Sequence, residues 1–146
     1  MRRSPDPHAT RSTLEAALCI ELREQGLPHE HRSLHFRVHV AEGESARYDP
    51  SLVVRRGPIL FLIEPLDATT DDRARLELLT AFLDQHSPEI VLIVIAPPGR
   101  VVELPTASYD EVYGSDDLAA VVRRIREQDP NGMIRPFPTP REQASR

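Results

Sequence analysis

Tyr48-Asp49-Pro50-Ser51-Leu52-Val53-Val54-Arg55-Arg56-Gly57-Pro58-Ile59-Leu60-Phe61-Leu62-Ile63-Glu64-Pro65-Leu66-Asp67 carries two aliphatic runs, Leu52–Val54 and Ile59–Ile63, on either side of Arg55-Arg56-Gly57-Pro58. β-branched runs around a Gly-Pro pair read as two strands joined by a tight turn. Neither run alternates with polar residues, so the sheet that takes them in is expected to be covered on both faces. Asp49 stands near the start of the first strand and Glu64 closes the second. A carboxylate at the end of a buried strand needs a partner, a metal or a water-filled notch.

Upstream, Leu34, Phe36, Val38 and Val40 alternate with His35, Arg37 and His39, the pattern of a half-buried strand. Glu42-Gly43-Glu44-Ser45 reads as a turn. Before it, Ser12-Thr13-Leu14-Glu15 has capping-box spacing. Leu14, Leu18 and Leu22, with Ala17, form an apolar stripe, and Gly26 and Pro28 stop the helix. The spacing predicts a helix over about 13–25, with Cys19 packed inside it.

Downstream, Thr69-Thr70-Asp71-Asp72 starts a second helix whose core face is Leu76, Leu79, Phe82 and Leu83. Glu89–Ile95 is a continuous apolar run, as in a central strand. Arg100–Leu104 could return as an edge strand. Ser115-Asp116-Asp117 caps a last helix with Leu118, Val121, Val122 and Ile125 on one face. The expected order is helix, three strands, helix, strand, short strand, helix. That order predicts an α/β fold with a mixed sheet flanked by helices. A flexible arm over 1–11 and a Pro-rich extended tail over 129–146 flank a single domain spanning 12–128. In the tail, Pro130, Pro136, Pro138 and Pro140 exclude regular structure, and Met133, Ile134 and Phe137 could dock on a protein partner.

The chain of 146 residues holds 40% hydrophobic and 28% charged residues, as ordinary globular proteins do. Its formal net charge of −5 gives no general attraction to nucleic acid. The basic residues are 18 Arg and no Lys, so no ammonium is on hand for catalysis, and Arg stays protonated. The single Cys19 excludes an internal disulfide and fits a reducing, cytoplasmic setting. No apolar run reaches the ~20 residues of a membrane span, and no signal peptide is expected. His29, His31, His35 and His39 share one parity. Histidines two apart can bind Zn²⁺, but no cysteine or second tight acid cluster supports them, and an exposed polar strand face is the expected reading.

The order αβββαβ, with acids bracketing the second and third strands, resembles the restriction-endonuclease-like PD-(D/E)XK nuclease superfamily over about residues 12–96. The resemblance implies a Mg²⁺ site built from a helix acid, a strand-start Asp and a strand-end Glu, with a lysine two residues beyond that Glu. Carried over, Glu15, Asp49 and Glu64 would hold the metal, and Asp49 and Glu64 would be the catalytic pair. Arg55 and Arg56, at the hairpin tip, could contact phosphate. The chemistry would be metal-assisted phosphodiester hydrolysis. Ser51 stands where Tyr-x-Pro-Asp-Leu places its Asp, however, and Leu66 stands at the lysine position. The expectation is therefore a degenerate, non-catalytic module without a cofactor, acting through a protein partner or as a homodimer. The alternative is a divergent Mg²⁺-dependent DNA nuclease. Glu15 also has a purely local reading as the capping-box glutamate.

Overall fold

The computed structural model describes residues 8–66 and 72–128. Gly57 and Pro58 turn the chain between β4 (Leu52–Arg56) and β5 (Ile59–Pro65), with Arg56 opposite Ile59 and Leu52 opposite Ile63. Gly57 has φ 59°, which suits the first central position of a two-residue hairpin and disfavours residues with a Cβ.

β4 and β5 lie inside a five-stranded sheet of order β1-β4-β5-β6-β7. β1 (Glu30–His31) pairs antiparallel with β4. β6 (Ile90–Ala96) lies parallel to β5, and β7 (Glu111–Gly114) lies parallel to β6. The step from β5 to β6 passes through α2 (Arg73–Leu83), as a parallel pair requires a crossover. The sheet is thus mixed and flanked by helices.

Strand parity divides the core in two. Leu52, Val54, Phe61, Ile63, Ile93 and Ile95 pack against α1 (Thr13–Glu24) and α4 (Leu118–Arg126). Val53, Leu62, Leu92, Val94 and Ala96 face the other way, onto Leu79 and Phe82 of α2 and Tyr48. Successive strand side chains alternate faces, so a run apolar at every position is what a doubly covered sheet needs. Glu64 has the parity of Leu62 and lies on the α2 face.

Several expectations change. Leu34–Val40 does not join the main sheet. β2 (Phe36–Ala41) instead pairs with β3 (Glu44–Tyr48) in a separate two-stranded ribbon against α2. The turn is tighter than 42–45, closing at Gly43 (φ 72°), so Glu44 and Ser45 already belong to β3. Val40 is exposed, at the irregular step in the β2–β3 register between His39 and Ala41. Arg100–Leu104 is not a strand. Pro98 opens a short helix, α3 (Pro98–Val101), since proline's fixed φ and missing N–H suit a first helical turn. The edge strand is β7, further along. The start of α2 at 69–71 and the tail at 129–146 lie outside the described residues, and so does most of the arm. Among the described residues, no helix is long and apolar enough to cross a membrane.

Candidate metal centre

Glu64 is almost fully buried, and each of its oxygens is engaged. Oε2 accepts from the Tyr48 hydroxyl at 2.6 Å and the Ser51 amide at 3.1 Å. Oε1 accepts from Ser51 Oγ at 2.8 Å and Arg75 Nη2 at 2.6 Å. An ionised carboxylate offers about four lone-pair sites, and here four donors meet it. Ser51 therefore serves as a double donor to the very acid it accompanies. The cation beside Glu64 comes from α2, since Leu66, at the expected lysine position, is buried in the core beside Leu79. Arg75 also spans the Tyr48 ring, 5.0 Å from its centroid, and donates to the Asp49 carbonyl at 3.1 Å. Burial pulls the Arg75 guanidinium toward neutrality, but the charge and hydrogen bond of Glu64, with the charges of Tyr48 and Asp49, together outweigh it and raise its pKa. Burial, then the charge of Glu64, pushes the Tyr48 phenol well above its ordinary range, so it remains a donor.

Asp49 sends its carboxylate elsewhere. Oδ1 accepts from His35 Nδ1 at 2.6 Å and Arg47 Nε at 2.8 Å, on the exposed rim of the ribbon. The Arg47 and His35 hydrogen bonds hold its pKa below the usual carboxylate value. Glu15 lies under the opposite sheet face. Its amide donates to Ser12 Oγ at 3.0 Å, so one half of the capping box forms. Its buried carboxylate does not return to the cap. It accepts from His31 Nδ1 at 2.8 Å and from Arg32 Nη1 at 3.0 Å to both oxygens. Glu15, Asp49 and Glu64 are thus held by three separate sets of partners rather than gathered at one point. At the hairpin tip, Arg56 donates to the Arg126 carbonyl at the end of α4, at 3.3 Å, and Arg55 is exposed.

A different group of ligand atoms does converge. His8, Cys19, His29 and His31 each bring one donor atom to within 4.8 Å of all the others, and could hold a metal ion. Cys19 Sγ lies 3.2 Å from His29 Nε2 and 3.5 Å from His8 Nδ1, and His8 Nδ1 lies 3.4 Å from His31 Nε2. The outer ring nitrogens are fixed from behind. A carboxylate can only accept, so His31 carries its proton on Nδ1 toward Glu15. His29 likewise donates Nδ1–H to the Leu27 carbonyl at 3.1 Å. Both Nε2 lone pairs therefore face inward. Burial lowers the pKa of His29, favouring the neutral imidazole that ligates metals.

Cys19 reaches this point because it follows Glu15 by one helical turn on α1. Arg32, with φ 49°, bends the chain just after His31 and donates to the Ala9 carbonyl, tying down the segment that holds His8. The expected exposed histidine face holds for His35 and His39, and is corrected for His29 and His31. Cys19 is packed, as expected, yet its sulfur sits among three imidazoles. A groove of about 770 Å³ beside α2, lined in part by Leu76, Thr80 and Asp84, includes none of these residues. Comparison with known proteins found no matching family, curated protein or solved structure.

Proposed function

We propose that the chain is a non-catalytic interaction module built on a degenerate PD-(D/E)XK nuclease-like scaffold. The observation that carries this reading is the saturation of Glu64. A hydrated Mg²⁺ needs carboxylate oxygens with free lone pairs in octahedral geometry. The four donors on Glu64 use that capacity, and the Arg75 guanidinium provides the positive charge a cation would bring. Asp49, committed to His35 and Arg47, supports the same reading, as does the net charge of −5. The partner-facing element is the 129–146 segment, and cutting the chain after Gln128 is expected to abolish association with a protein partner.

Calorimetric titration with Mg²⁺ and Mn²⁺, run beside plasmid and single-stranded DNA cleavage assays, tests the proposal. Neither binding nor cleavage is expected. Metal-dependent cleavage that disappears in Glu64→Ala would instead establish the divergent nuclease, with Glu15, Asp49 and Glu64 rearranged around Mg²⁺ and Arg55 or Arg56 against phosphate.

A further inference from the structure

We propose that Cys19, His8, His29 and His31 form a structural Zn²⁺ site that fastens the segment before α1 to the helix and to the edge strand β1. The donor set is one thiolate and three imidazoles, the nitrogen and sulfur ligands that suit zinc rather than magnesium. Four protein ligands leave no open position, which marks a structural site rather than a hydrolytic one.

The distances fit. Tetrahedral zinc with ordinary Zn–N and Zn–S bonds separates its ligand atoms by about 3.3–3.6 Å. Three of the six separations are 3.2 and 3.5 Å from sulfur to nitrogen and 3.4 Å from nitrogen to nitrogen, and the remaining pairs lie within 4.8 Å, so a bound ion would draw them slightly together. The three rings surround one point, with centroids 4.9, 5.1 and 5.4 Å apart. Glu15 and the Leu27 carbonyl orient His31 and His29 from behind, as the outer hydrogen-bond partners of metal-binding histidines do. Glu15 is thus a positioning residue here, and Arg32 holds it in turn.

On binding, the Cys19 thiol releases its proton to solvent and the sulfur donates an electron pair to zinc. The three imidazoles donate theirs with no net loss of protons, His29 and His31 through Nε2 and His8 through Nδ1 once its proton has moved to Nε2. The complex carries one positive charge, facing the Glu15 carboxylate through His31. The competing arrangement has no metal: the Cys19 thiol donates to His29 Nε2, and His8 Nδ1–H donates to His31 Nε2. Both arrangements satisfy the inner atoms, and metal binding separates them.

The untagged full-length chain would be titrated with Co²⁺ and then Zn²⁺, followed by absorption spectroscopy and metal analysis. One ion per chain is expected, with the intense visible bands of tetrahedral Co²⁺ and a thiolate charge-transfer band that Zn²⁺ abolishes. Cys19→Ser should lose the charge-transfer band. His8→Ala, outside the helices and strands, should lose stoichiometric binding while keeping its circular dichroism spectrum. Glu15→Gln should weaken Zn²⁺ binding by about 10–100-fold. His35→Gln with His39→Gln should bind as the unaltered chain does. A chain that takes up neither ion, or that binds them equally well in Cys19→Ser and His8→Ala, would overturn the site and leave the proton-sharing cluster.

Discussion

Glu64 and Cys19 lie on opposite faces of the structure and show two ways of burying a polar group. Around Glu64 every acceptor site points at a protein donor, so the group is satisfied from within and has nothing left for a ligand. Around Cys19 the outer atoms of His29 and His31 are satisfied from behind, and that leaves their inner lone pairs aimed at a common point. Buried polar groups must be paired in either case. The direction of the pairing decides which cluster can accept a cation. The acid that looked most like a metal ligand became the hub of a hydrogen-bond network. The cysteine that looked like core filler became the centre of a ligand set.

The largest expected loss comes from breaking the Glu64 hub. Glu64→Ala leaves Tyr48, Ser51 and Arg75 without their acceptor. The cost should be about 3 kcal/mol in chemical denaturation, the lower end for a broken buried pair because the guanidinium partly reaches solvent. A change within about 0.5 kcal/mol would show that Glu64 is not the hub. Next in size, a hundredfold excess of Zn²⁺ over its dissociation constant should add about 2.7 kcal/mol to the unfolding free energy. Thermal melts with and without a chelator read this directly, and His8→Ala should remove the increment. Ser51→Ala removes one hydroxyl donor from a charged acceptor and should cost about 1.5 kcal/mol, without altering zinc content. If it lowered zinc content, the two regions would not be independent.

Asp49→Asn should have the smallest effect, within about 1 kcal/mol, because its partners His35 and Arg47 are exposed. Its lowered pKa gives the sign of the pH dependence. The contribution is fully present above the ordinary carboxylate pKa and fades as pH falls through the lowered folded value. Asp49→Asn should therefore cost its small increment at neutral pH, have little effect below the lowered folded value, and so flatten the acid limb of a stability profile. A destabilisation by Asp49→Asn as large at acid as at neutral pH would contradict that assignment.

The elements readable from the sequence are those with strong local patterns. Leu52–Val54 and Ile59–Ile63 around Gly57-Pro58 form the predicted hairpin, and the Leu14, Leu18 and Leu22 stripe forms α1. β3 escaped because Glu44-Ser45-Ala46-Arg47-Tyr48 turns only Ala46 and Tyr48 inward, too few apolar residues to signal a strand. β1 is two residues long and exists only through its pairing with β4. A period of two groups the four histidines, but strand parity does not carry across Arg32, whose positive φ bends the chain between His31 and His35. His29 and His31 go inward and His35 goes to the rim. Two local signals did point to the cluster: Glu15 and Cys19 one helical turn apart, and the His-x-His pair beyond the helix. His8 could not be added from local pattern, because Arg32 and the fold bring it back from the arm. Ser51 and Leu66 already indicated that Glu64 lacks its expected companions. Arg75 as its partner was not legible, since it arrives across the β5–α2 connection.

Native mass spectrometry of the untagged chain, with Zn²⁺ and Mg²⁺ offered in parallel, asks most directly which cluster takes a metal. The predicted result is a single zinc adduct with displaced protons, absent from Cys19→Ser and present in Glu64→Gln, and no specific magnesium adduct. A magnesium adduct that vanishes in Glu64→Gln, with no zinc adduct dependent on Cys19, would contradict it.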